Sequence, residues 1–216
     1  MGSETAPTID QLHTTLVIPT DAPVVRGPRQ GHWTYADWER LPHADGSRYE
    51  IIDGVLYMTT APSYFHQWIL FKLARYIAVP ADEQQLAYGI FAPVGVLMPG
   101  CDPVQPDFVV VRRERVAIIH DRRIRGVPDA IVEVLSPGNA AYDTATKYTA
   151  YATAGVPEYG IVDPVRRTVQ HFRLTAPGHY DSPQTYTAAD QFALACLPTL
   201  AVRVADLFAG APDTSL

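Results

Sequence analysis

The sequence predicts an α/β domain built around a mixed sheet. Three observations predict it. Two apolar runs flank Asp53-Gly54 and spell a hairpin. Two helical patterns lie at about 64–79 and 142–154. Short apolar runs at 108–111, 130–135 and 158–162 read as strands between and after them. The core order is helix, three strands, helix, strand, with added strands at both ends.

The elements follow in chain order. Residues 1–30 are rich in Thr, Pro, Asp and Gly, carry no sustained period and read as a flexible arm, so folded material is expected over 31–210. Thr34 caps a short helix, Tyr35 to Leu41, stopped by Pro42. In the hairpin 49–58, Asp53-Gly54 supplies the positive φ angles of a two-residue turn. Ser63 caps a helix from Tyr64 to Val79, with Phe65, Trp68, Ile69, Leu73 and Tyr76 as its core stripe and Pro80 as its stop. Tyr88 to Met98 reads as one strand bent at Pro93 or Gly95. The helix 142–154 stops at Gly155, a C-terminal cap. Glu158 to Val162 and Thr168 to Leu174 are strands, and the tail to Phe208 adds a last strand and a short helix.

Composition bounds the function. The chain has 216 residues, enough for one domain with a sizeable core. No apolar run approaches the ~20 residues of a membrane-spanning helix, and the N-terminus lacks a secretory pattern. A cytoplasmic setting without membrane contact is expected. Cys101 and Cys196 form no metal or disulfide framework. A net charge of −6 argues against coating nucleic acid through charge alone. Six arginines within 112–125 form either a phosphate-contacting patch or an ordinary solvated surface.

The chemistry centres on Ala130-Ile131-Val132-Glu133-Val134-Leu135, where five apolar residues surround one carboxylate. The run reads as a strand buried on both faces. An ionised Glu133 there needs compensation, from an arginine or from a metal ion. Asp107 opens the run 108–111, and the Arg-rich stretch between the two runs has the length of a hairpin connection. Pairing them brings Asp107 near Glu133, and two close carboxylates repel unless a cation joins them. Asp143, Lys147 and Tyr151 share one helix face at i, i+4 and i+8, with Ala145, Ala152 and Ala154 allowing close packing. Lys147 reads either as a surface partner of Asp143 or as an ammonium serving the carboxylates.

Asp107, then Glu133 in a hydrophobic strand, then a helical lysine resembles the PD-(D/E)XK nuclease superfamily. More closely, the chain resembles the Uma2 family. The matching stretches are Arg48 to Gly54, Val104 to Asp107, Pro128 to Pro137, Lys147-Tyr148, Tyr151 and Ala154 to Pro164, within about 32–208. The superfamily signature places a lysine two residues after the glutamate, where this chain has Leu135; the resemblance implies that Lys147 supplies the amine. It further implies a restriction-endonuclease-like fold, a mixed sheet flanked by helices, and a metal-dependent endonuclease hydrolysing phosphodiester bonds, DNA foremost. Asp107, Glu133 and the Val134 carbonyl would hold Mg²⁺, with Mn²⁺ as substitute. Lys147 would act on the water or the transition state, and Glu50 would be a further catalytic carboxylate. Asp53 and His66 match positions bordering the site. A homodimer suits the cutting of two strands. The alternatives are a catalytically silent nuclease fold that binds DNA or a protein, and a carboxylate-pair glycosidase.

Overall fold

The computed structural model describes residues 27–41, 48–59, 62–136 and 140–212. The first helix, α1 (Tyr35–Trp38), is shorter than expected and carries a capping box between Thr34 and Asp37. Pro42, its expected stop, lies outside the described residues. The hairpin forms as read, from β1 (Arg48–Ile52) and β2 (Val55–Thr59), turning through Asp53 at φ 49° and Gly54 at φ 72°. Gln30 runs beside β2, its side chain bonding the amide and carbonyl of Leu56 at 2.7 and 3.1 Å. Contact with the domain therefore begins before residue 31, and a side-chain amide satisfies part of an otherwise open sheet edge.

Pro80 does not end the second helical stretch. α2 (Tyr64–Leu73), capped by Ser63, passes through a π turn (Ala74–Ala78) into α3 (Val79–Glu83). The Val79 amide reaches back five residues to the Ala74 carbonyl. In a regular helix the Pro80 ring would press on the carbonyl four residues earlier; the wider turn relieves that clash.

The expected single strand 88–98 is two strands in different sheets, β3 (Ala87–Phe91) and β4 (Gly95–Met98). Pro93 between them has no amide to give to a ladder, so the break falls there. β5 (Cys101–Val104) returns beside β4, an element the sequence hid because Asp102-Pro103 reads as a turn. β6 (Phe108–Arg112), a 3₁₀ turn (Arg113–Ile118), β7 (Ile119–His120), β8 (Arg123–Arg125) and β9 (Ala130–Val134) follow. The connection from β6 to β9 is thus not a simple hairpin: it sends two short strands into the other sheet. A π turn (Tyr142–Lys147) leads into α4 (Tyr148–Ala154), then come β10 (Glu158–Asp163), β11 (Thr168–Ala176), β12 (His179–Tyr180), β13 (Gln184–Tyr186), β14 (Gln191–Phe192), β15 (Val202–Arg203) and α5 (Val204–Phe208).

The central sheet runs β12-β11-β10-β9-β6-β3, with β9 and β10 parallel and β6 antiparallel to β9. Every β9 residue is buried, as its apolar run requires. On one face Val132, Phe108 and Val110 pack with α2, α3 and the C-terminal tail. On the other, Ile131, Val109 and Val111 meet α4 and the sheet β2-β1-β5-β4-β8-β7. Ala150, Ala152 and Ala154 line the buried side of α4, whereas Ala145 is exposed. Among the described residues no helix is long and apolar enough to cross a membrane.

α4 ends where Gly155, at φ 89°, turns its amide onto the carbonyls of Tyr151 and Ala152. Gly155→Ala forces a side chain into the left-handed region and should cost ~1 kcal/mol. A melting temperature lowered by roughly 2–4 °C is the expected readout; an unchanged melt would mean that the helix ends elsewhere in solution.

Candidate active site

Five segments converge at one end of the central sheet. Phe108 pairs with Val132, so Asp107 stands opposite Glu133 and both leave the sheet on the face covered by α4. The Asp107 amide donates to Glu133 Oε2 at 3.1 Å, and the Val134 amide donates to Asp107 Oδ2 at 3.0 Å. The π turn widens the start of the second long helix so that Tyr142, Asp143 and Lys147 all point inward, one turn before Tyr151. The alternation of β1 puts Glu50 on the face of Ile52, toward the central sheet, with Tyr49 and Ile51 on the opposite side. The first turn of α2 contributes His66.

Lys147 lies at the centre. Its Nζ is 3.0 Å from Glu133 Oε1, 3.4 Å from Glu50 Oε2 and 3.5 Å from Asp143 Oδ1, and the residue is 3% exposed. The surface-pair reading of Lys147 with Asp143 is therefore set aside: the pair exists, but inside the protein. The Tyr151 hydroxyl also donates to Glu133 Oε1, at 2.8 Å. Glu50 accepts from the Gln105 amide at 2.5 Å and the Tyr142 hydroxyl at 3.2 Å. It joins the cluster through Lys147.

Asp107 is held from the other side. His66 Nε2 is 3.0 Å from Oδ2, and both Arg48 terminal nitrogens are 3.3 Å from Oδ1. Arg48 also donates to the Gln105 carbonyl at 2.8 Å. Asp53, in contrast, is an exposed residue at the hairpin tip, where it lines a cleft with Trp33, Met98 and Arg125.

The two carboxylates are driven apart electrostatically. Burial favours the protonated form of Asp107, but the His66 hydrogen bond and the charges of His66, Arg48 and Lys147 outweigh it and hold Asp107 below the usual range. Burial pushes Glu133 well above that range; Asp107, Asp143 and Glu50 add to the rise, and Lys147 opposes it. Asp143 is pushed up to about 6 by burial, with Lys147 opposing and Asp107 and Glu50 assisting. Burial disfavours the Lys147 ammonium, yet Glu133, Glu50 and Asp143 more than compensate and raise its pKa.

Sequence reading missed Arg48, Gln105 and Tyr142. Arg48 and Gln105 fell inside stretches that carry the family resemblance, but neither was singled out, and nothing local distinguishes them. The arginine cluster resolves mainly into ion pairs: Arg112 and Arg115 with Asp129, Arg113 with Asp82, and Arg123 with Glu39. Asp129 thereby fastens the end of β6 to the start of β9.

A model of the Uma2 family, described as putative restriction endonuclease, matches residues 35–205. The chain belongs to the Uma2 family. Among solved structures, it is similar to a putative nuclease of the DUF820 group from Anabaena variabilis ATCC 29413, at 18% identity and a TM-score of 0.68, covering 81% of this chain and 97% of that one. That likeness establishes a restriction-endonuclease-like fold. None of the curated proteins matches. Within this Uma2 chain the matched span contains Asp107, Glu133, Lys147, Glu50 and His66.

Proposed function

We propose that this Uma2 protein is a metal-dependent endonuclease that hydrolyses phosphodiester bonds, with DNA as its substrate. The opposed pair Asp107 and Glu133, with the Lys147 ammonium 3.0 Å from Glu133, carries the reading. The glycosidase alternative fits less well, because it needs two carboxyl groups facing each other across open substrate space. Here the backbone of Asp107 bonds the side chain of Glu133, so the two adjoin.

The donor set fits a divalent cation. Four buried carboxylates, Glu50, Asp107, Glu133 and Asp143, share the cluster with two permanent cations, Arg48 and Lys147. If all four were ionised they would outnumber these two cations, and even a charged His66 beside Asp107 would leave negative charge in excess where water is largely excluded, which is costly. Burial first, and then the neighbouring carboxylates, push the Glu133 and Asp143 carboxyls up. The anionic donors are all hard oxygens, the type Mg²⁺ selects, with Mn²⁺ as substitute. No three His, Cys, Asp or Glu side chains form a ready cage among the described residues. Mg²⁺ commonly takes one or two protein carboxylates and keeps several waters. Asp107, Glu133 and the Val134 carbonyl would hold the ion. When bound, it supplies a water of lowered pKa and neutralises charge on the phosphate.

The protein's own groups have separable tasks. His66 and the Val134 amide fix Asp107. Tyr151, kept neutral by burial, orients Glu133. Lys147 faces the charge that grows on the phosphate in the transition state. Glu50 and Asp143 hold Lys147 in place and keep it charged.

One observation favours the rival reading of a silent module: protein donors already engage Asp107 and Glu133 at every carboxylate oxygen. Metal decides between them. Mg²⁺ should support nicking of plasmid DNA by the wild type, and EDTA should stop it. Asp107→Asn should weaken Mn²⁺ binding by about 10–100-fold, judged by calorimetric titration. It should also destabilise the metal-free fold, because one asparagine amide would meet Arg48, His66 or the Val134 amide donor to donor. Cleavage that persists in EDTA, or wild-type Mn²⁺ affinity in the variant, would contradict the proposal.

A further inference from the structure

We infer that Arg48 grips the scissile phosphate, and that in the metal-free protein its guanidinium fills the place beside Asp107 that a divalent cation takes. The inference rests on the nuclease reading and adds a residue to it. Three observations support it. The first is place. Arg48 shares the β1 face that carries Glu50, and its side chain keeps 19% exposure beside an Asp107 side chain at 6%. It is the cation at the rim of the cluster, whereas Lys147 is enclosed. A phosphate approaching Asp107 meets Arg48 first.

The second is loose attachment. Both contacts to Asp107 are long, 3.3 Å, and stretch a carboxylate pair that is normally 2.7–2.9 Å apart. The one short bond, 2.8 Å, goes to the neutral Gln105 carbonyl. Buried Arg48 Nε has no partner among the described residues. A guanidinium has five donors in a planar fork, and this one leaves part of the fork unused. A buried nitrogen in a purely structural role would be expected to have a partner.

The third is charge. The guanidinium, a permanent cation, stands 3.3 Å from Asp107 Oδ1 on the strand face that carries Glu50. It therefore draws on the same negative surplus that would hold a divalent cation. The two cations compete for Asp107 by like-charge repulsion. A guanidinium released from Asp107 keeps its Gln105 bond and turns its free donors outward, where bidentate phosphate recognition is what this group does well.

The competition gives a signed test. Mn²⁺ is titrated calorimetrically into metal-free protein, and single-turnover cleavage of a short DNA duplex is timed at saturating Mn²⁺. Arg48→Met should bind Mn²⁺ about tenfold more tightly, the effect of removing one unit charge a few ångström from a divalent ion even with water-like screening. It should cleave about 10²-fold more slowly or worse. Arg48→Lys keeps the charge and loses the fork, so it should bind Mn²⁺ as the wild type does and still cleave slowly. A merely structural Arg48 would give unchanged or weaker Mn²⁺ binding in Arg48→Met, and that overturns the inference. If Arg48→Met fails to fold, Arg48→Lys decides: slow cleavage at unaltered affinity supports the inference, wild-type cleavage ends it. A wild type that binds Mn²⁺ and cuts, beside an Arg48→Met that cuts as fast, removes Arg48 alone. A wild type that neither binds nor cuts removes the nuclease reading with it.

Discussion

Lys147→Met should lose ~3–5 kcal/mol of stability in the metal-free protein and roughly 10²–10³ in the rate of cleavage. The first figure follows from what the ammonium leaves behind. Glu133, Glu50 and Asp143 all lie within 3.5 Å of Nζ, and all are buried. Methionine matches the stem in length and helix propensity, so the helix itself is not the cause. What is lost is the charge that lets three carboxyl groups share a dry space. A surface pair would have cost at most ~0.5 kcal/mol, so one thermal melt separates the two descriptions. The melting temperature should fall by roughly 10 °C. Mn²⁺ should restore more stability to the variant than it adds to the wild type, since the orphaned carboxylates now have only the metal to neutralise them. The rate must be read where the variant is fully folded, as a single turnover at saturating Mn²⁺. A variant that melts and cuts like the wild type would take Lys147 out of the site.

The sequence made Glu133 legible because an acid amid five apolar residues is an anomaly wherever the strand lies. Lys147 was legible through its register with Asp143 and Tyr151, a local property of one helix. What the local pattern lacked was depth: the same spacing fits an exposed face, and only the docking of the second sheet buries it. Arg48, Gln105 and Tyr142 stayed hidden for the same reason. Arg48 contacts Asp107 across 59 positions, and Tyr142 reaches Glu50 across 92. Such meetings are set by how two sheets stack. His66 was placed at the border of the site by the family resemblance, and its 3.0 Å contact with Asp107 is tertiary in the same way. In the fold, hairpin, caps and apolar strands were readable from turn chemistry and period. The π turn was not, since one extra residue in a turn leaves the 3.6 period almost unchanged over a short helix. The division of 88–98 between two sheets was not either: Pro93 marks a break but not where the chain goes next.

Glu133→Gln should abolish measurable Mn²⁺ stabilisation of the fold and slow cleavage by at least ~10². The substitution preserves shape and removes charge, so its effects report on the carboxylate. Both Glu133 oxygens accept in the native arrangement: Oε1 from Lys147 and Tyr151, Oε2 from the Asp107 amide. A glutamine has one accepting oxygen. If that oxygen faces Lys147 and Tyr151, the side-chain amide faces the Asp107 amide and one buried hydrogen bond is lost. That loss should cost ~1–3 kcal/mol. Against it stands a gain. The native carboxyl is pushed well above its ordinary pKa by burial, so at neutral pH its ionised form opposes folding. The sign is that of a raised acid: the destabilisation is absent below the unfolded carboxylate value of 4.5 and grows as pH rises above it. Glutamine carries no such term. The variant should therefore compare worst with the wild type in acid, where only the lost hydrogen bond counts, and best near neutrality without metal. Adding Mn²⁺ should reverse that order, because the wild type gains binding energy that the variant cannot. Thermal melts at acid and neutral pH, each with and without Mn²⁺, give four comparisons. A variant that Mn²⁺ stabilises as much as the wild type would show that Glu133 is not where the ion is held, and the role of the strand carboxylate would reduce to neutralising Lys147.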